Sequence, residues 1–141
     1  MASKPFSQDL HDEYDERGRN AAKQLFKRWG IELRDNPDKY GVDLIAYKDG
    51  KMYGCVEVEV RDAWKGNFAY DTLNIPYRKQ KLLNTPENNC LVAFNADCTQ
   101  AFIANDWTVL FSQIEEVKNK HMDKGELFYK VPINQLRLVT L

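Results

Sequence analysis

The sequence predicts an α/β fold with a central mixed sheet flanked by helices, and three observations predict it. An amphipathic helical stretch comes first, a β-hairpin of alternating character follows it, and a uniformly apolar strand comes after a helical connection. The strand Cys90-Leu91-Val92-Ala93-Phe94 has no polar side, so it belongs in the middle of the sheet, covered on both faces. At 141 residues, with 43% hydrophobic and 29% charged, the chain has the length and composition of one globular domain spanning 1–141 rather than of a disordered tail.

Residues 1–10 read as a flexible arm. Asp12 to Trp29 reads as a helix whose apolar stripe is Tyr14, Gly18, Ala21, Ala22, Leu25, Phe26 and Trp29, with Gly30 as its C-cap. Ile31-Glu32-Leu33 is a short strand, and Asn36-Pro37-Asp38-Lys39-Tyr40 is a turn-rich loop that delivers the chain to Gly41.

The hairpin follows: Gly41-Val42-Asp43-Leu44-Ile45, a Lys48-Asp49-Gly50 turn, then Val56-Glu57-Val58-Glu59-Val60. With a three-residue loop and Gly50 left-handed, Tyr47 faces Lys51 and Asp43 faces Cys55. Alternation then puts Val42, Leu44 and Ala46 with Met52, Val56, Val58 and Val60 on one side, and Asp43 with Glu57, Glu59 and Arg61 on the other. Carboxylates gathered on one face repel, so Asp43, Glu57 and Glu59 call for a metal ion or a cationic partner. The plain alternative is a two-faced hairpin whose charged face is wet.

Asp62 to Asn74 is a long connection in which Trp64, Lys65, Phe68 and Tyr70 interleave aromatic and basic character beside the acidic face. Such a segment can stack a base and clamp a phosphate, or the aromatics can simply pin the loop to the core. Pro76 opens a helix running to about Asn84, with Arg78, Lys79 and Lys81 as phosphate contacts or as a solvated face, and Gln80 beside them. After the apolar strand come a strand at Ala101 to Ala104, a turn at Asn105-Asp106, an extended piece at Trp107 to Phe111, and a helix from Ser112 to about His121. Glu126 to Val131 is a strand ended by Pro132, and the apolar terminus Leu136 to Leu141 is expected to pack on the sheet or on a partner subunit.

The hairpin resembles the core of the PD-(D/E)xK nuclease superfamily, which includes restriction endonucleases and archaeal-type Holliday junction resolvases. Gly41-Val42-Asp43 looks like that family's first motif and Glu57-Val58-Glu59 like its second, within an ordered helix, hairpin, helix and strand from about Asp12 to Phe94. The resemblance implies a restriction endonuclease-like αβββαβ core, here with a C-terminal helix and strand extension. It also implies that Asp43 and Glu57, with Glu59, hold Mg²⁺ or Mn²⁺ for catalysis. An acid from the first helix usually joins them; Arg19 stands where one is expected, and Asp15 and Glu16 lie about a turn earlier, where they also suit a helix N-terminus.

The family's lysine position is occupied by Glu59. Three readings stand. Glu59 is a third metal ligand and the proton-handling lysine is absent or comes from elsewhere, such as Lys65 or Lys79; or Glu59-Val60-Arg61 is the motif shifted by one pair, with Arg61 a poor base but able to stabilise phosphate charge; or cleavage is lost and binding remains.

A formal charge of -1 excludes a broadly basic, nonspecific nucleic-acid binder, yet Arg61, Lys65, Arg78, Lys79 and Lys81 cluster after the acidic hairpin as candidate nucleic-acid contacts. Cys55, Cys90 and Cys98 lack zinc-ligand spacing and suit free thiols in a reducing, cytoplasmic setting. No run approaches membrane-spanning length and no signal-peptide region is visible. His11 and His121 have no metal-ligand company. Metal-dependent phosphodiester hydrolysis of nucleic acid, by a DNA endonuclease able to act as a homodimer, is the leading expectation. The alternatives are a catalytically inactive nuclease-like protein that binds nucleic acid or a protein partner, and a domain with no ligand.

Overall fold

The structure is a computed structural model that describes residues 8–38, 41–118 and 125–141, with side chains from Glu16 onward. The expected arm at residues 1–7 and His121 lie outside the described residues, as do the side chains of His11 and Asp15; residues 8–10 already belong to a helix.

That helix, α1 (Gln8–Lys27), is followed by β1 (Ile31–Asp35), β2 (Leu44–Lys48) and β3 (Lys51–Val60). β1 pairs with β2 and β2 with β3, all antiparallel, as short connections permit. β5 (Cys90–Phe94) then lies parallel to β3, and β6 (Gln100–Asn105) and β9 (Arg137–Thr140) extend the sheet in the order β1-β2-β3-β5-β6-β9. β4 (Thr72–Pro76), β8 (Glu126–Pro132) and β7 (Gln113–Val117) form a second, three-stranded antiparallel sheet.

The centre of the large sheet is buried on both faces, and alternation sorts its side chains into two cores. Leu44, Ala46, Val56, Val58, Val92, Phe94 and Ala101 pack under Ala22, Leu25 and Phe26 of α1. On the opposite face Leu91, Ala93, Phe102 and Ala104 meet Leu73 and Ile75 of β4, Tyr129 and Val131 of β8, and Trp64 and Leu83 from the connection. β5 contributes to both clusters, which is why its sequence has no polar face. Among the described residues no helix is long and apolar enough to cross a membrane.

Several expectations are corrected. Only one face of the sheet carries a long helix; the other is covered mainly by the small sheet, with the short helices α2 (Gln80–Leu83) and α3 (Asp106–Leu110) beside it. The turn and extended piece expected over 105–111 fold instead as α3, because Val109 reaches the second core and the Asp106 carboxylate accepts the Trp107 and Asn89 N–H groups. The C-terminal helix expected from Ser112 is absent over its described part. Ser112 donates its hydroxyl to the Thr108 carbonyl, and Gln113–Val117 pairs residue for residue with β8, a ladder that outweighs the helix preference of its glutamates. The connection expected over Asp62 to Asn74 ends in a strand at Thr72–Pro76, where Leu73 and Ile75 alternate inward, so Pro76 closes this strand instead of opening the helix expected to run to Asn84.

Candidate functional site

The hairpin closes through Asp49 and Gly50, both with positive φ, so the loop has two residues and Lys48 pairs with Lys51. A bulge then shifts the register between Ala46 and Tyr47, setting Leu44 against Val56. The three-residue loop that set Asp43 against Cys55 is therefore not formed. The Asp43 N–H instead donates to Glu57 Oε2 at 3.3 Å, and Asp43 Oδ2 accepts the Val58 N–H at 2.8 Å. Beyond the bulge the displacement is two residues and the expected faces survive: Val56 and Val58 point to α1, and Glu57 points away from it; on the turn side it is one residue, so Met52 pairs with Tyr47 and leaves the apolar face expected for it.

A parallel β3–β5 pair requires a crossover, and this one runs over the Glu57 face. It descends β4, ends at Pro76, and enters a 3₁₀ turn at Tyr77–Lys79 that leads into α2. The Tyr77 ring leans on Tyr129 at 5.4 Å, and Arg78 pairs with Glu126 at 3.0 Å. Held this way, Lys79 puts its Nζ 2.6 Å from Glu57 Oε1.

Glu57 is only 4% exposed. Burial raises its pKa above the ordinary carboxylate value, the Asp43 charge raises it further, and the Lys79 contact and the Asp43 N–H oppose the rise. The site is thus an acid pair with a lysine on it: Asp43, Glu57 and Lys79.

Glu59 does not join them. Its Oε2 is bound by Arg61 at 2.7 and 2.9 Å, and Arg61 also donates to the Asn74 carbonyl at 2.7 Å. Among the described residues no three His, Cys, Asp or Glu side chains are grouped so as to hold a metal ion, so the expected set of Asp43, Glu57 and Glu59 is not assembled. Arg61 likewise serves Glu59 rather than standing over the acid pair. Glu16 is exposed on α1 beyond Gly18, where a Cβ would come 2.9 Å from Val60, and this is the face opposite Glu57. Lys65 and Lys81 are exposed, and Arg78 is committed to Glu126. Gln80 is half-buried at the start of α2. The three cysteines are free thiols.

Family models, curated proteins and solved structures were compared with the chain, and none matches.

Two residues of this region were not picked out in the sequence. Asn89 is buried and accepts the Cys55 N–H while donating to the Leu83 carbonyl and Thr85, which ties the end of the crossover to the hairpin. Lys130, on β8, reaches the cavity beside Arg61. An Asn at a strand entrance and a Lys in an alternating strand carry no local signal of either role.

Proposed function

We propose that this chain is a metal-dependent phosphodiesterase acting on nucleic acid, a DNA endonuclease of the PD-(D/E)xK kind in which Lys79 takes the place of the lysine expected at Glu59. The observation that carries the proposal is Lys79 Nζ at 2.6 Å from Glu57 Oε1, with Asp43 hydrogen-bonded at the same carboxylate. The order α1, β1, β2, β3, crossover, β5 supports a restriction endonuclease-like core.

The donor chemistry suits a small hard cation. Asp43 binds the Glu57 carboxylate through its N–H and its charge acts on Glu57, and Mg²⁺ is commonly bound through one or two carboxylates, with water and substrate phosphate completing its shell. Mg²⁺ or Mn²⁺ held by Asp43 and Glu57 would supply Lewis acidity at the phosphate and a water of lowered pKa. Lys79 would set a positive charge against the phosphoryl oxygens, and its contact with Glu57 keeps that ammonium oriented before substrate arrives. Lys65 and Lys81, exposed on the crossover, would neutralise flanking phosphates.

A second reading, binding of nucleic acid or a protein partner without cutting, is favoured by the commitment of Glu59 to Arg61, which leaves two acids in the pair. The test is cleavage of labelled duplex, single-stranded and branched DNA, and of RNA, in Mg²⁺ and in Mn²⁺, by wild type and Asp43→Ala. Metal-dependent cutting lost in the variant is the expected result. No cutting of any substrate, together with no Asp43-dependent Mn²⁺ binding by calorimetry, rejects the enzyme in favour of the second reading.

A further inference from the structure

The crossover encloses a cavity of about 310 Å³, at the small end of ligand sites, which start near ~300 Å³. Its composition is unusual for a chain with a net charge of -1. Arg61, Lys65 and Lys130 line it, and none of its described lining residues is an acid. Arg61 is neutralised by Glu59, but Lys65 and Lys130 have no carboxylate partner among the described residues. The cavity therefore favours an anion.

Its aromatic wall favours a flat ring. Trp64 is 5% exposed, stacks on Phe102 at 5.0 Å and donates its Nε1–H to the Gly66 carbonyl, so it is a structural post with its polar atom satisfied. Phe68 stands edge-on to both Trp64 and Phe102, at 5.3 and 5.2 Å. Tyr70, edge-on to Phe68 at 5.7 Å, is 70% exposed. Two rings anchor the loop and the third is left presenting itself to solvent at the cavity mouth. Asn67, Asn74 and Thr72 add polar groups at its edge, of which Thr72 already donates to Asn74 Oδ1.

The cavity lies beyond the acid pair along β3, on the same strand face. Arg61, in its wall, grips Glu59, which lies on the same strand face as Glu57 two residues along, about 7 Å by strand rise.

We infer that this cavity binds an unpaired nucleotide of the substrate strand beside the scissile phosphate, the base against Tyr70 and the phosphate against Lys65 and Lys130. A paired base is stacked on both faces and cannot enter such a pocket, so the substrate class is a nucleic acid with a single-stranded segment. This rests on the proposed phosphodiesterase, whose substrate it narrows.

The test is fluorescence anisotropy in EDTA, where no metal-dependent cutting can intervene, with a labelled single-stranded oligonucleotide and a blunt duplex of the same sequence. Wild type is expected to prefer the single strand. Tyr70→Ala should weaken single-strand binding roughly fivefold or more, Tyr70→Phe should keep it, and neither should alter duplex binding. Lys130→Ala should reduce the salt slope by about 0.7. Unfolding midpoints of each variant separate lost binding from lost structure. Equal binding of the two forms, indifference to Tyr70→Ala at intact stability, or no binding at all overturns the inference, and so does competition by thymidine monophosphate without strand binding. Tyr70-dependent binding with no cutting in Mg²⁺ or Mn²⁺ and no Asp43-dependent Mn²⁺ binding would reject the enzyme and keep the pocket. Cutting unaffected by Tyr70→Ala would do the reverse.

Discussion

Glu57 and Glu59 stand two residues apart on one strand and one face, yet the two ends of that face are built differently. At the Glu59 end the compensating charge is local: Arg61 lies two residues on, and its guanidinium is also fixed by the Asn74 carbonyl. At the Glu57 end two acids crowd a buried position, and the cation arrives on a crossover from Lys79. The first arrangement joins β3 to β4 and leaves little charge to spare. The second holds like charges together out of water, a state that proteins maintain mostly where charge is used.

The proposed phosphodiesterase activity is expected to separate the two ends most sharply. Asp43→Ala and Glu57→Ala are each expected to lower metal-dependent cleavage about 10³-fold, and Lys79→Ala about 10²-fold or more. Glu59→Gln should leave the rate near that of wild type; a loss as large as that of Glu57→Ala, in a variant that still folds, would return Glu59 to the metal site and erase the contrast.

Stability runs the other way. Arg61→Ala removes two contacts to Glu59 and the one to Asn74, and is expected to cost about 1–3 kcal/mol in urea unfolding. An unchanged midpoint would mean that this end is not a brace between the two sheets.

The smallest effect is in pH. Burial first, then the Asp43 charge, raises the Glu57 pKa, so over this window the folded protein holds a proton that the unfolded chain has released. This group's contribution to stability is present below the ordinary carboxylate range and is lost as pH rises from there through the raised value. Glu57→Gln cannot ionise, so wild type should lose ground to this variant as pH rises through that window, measured as urea midpoints at stepped pH. A difference that stays flat or moves the other way would mean that the Lys79 contact outweighs the crowding.

Much of the frame was legible in the chain because it is written in short periods. The α1 stripe, the two faces of the hairpin and the unbroken apolarity of β5 need only neighbouring residues to be read, and Asp43 and Glu57 fall on a shared face under either register. The exact pairing of Asp43 was not legible, since it depends on a two-residue loop and a bulge at Ala46/Tyr47, each shifting the register by one so that together they restore the face. β7 is a strand although its glutamates prefer a helix, because a ladder with β8 overrides them.

By itself, then, the sequence determined which residues face together on each element: local alternation decides that. Only the tertiary structure decided that Lys79 meets Glu57, that Glu59 belongs to Arg61, and that Lys130 joins Tyr70 at one cavity. These contacts join segments brought together by a crossover and a second sheet, and nothing in the spacing of residues along the chain specifies where such paths return.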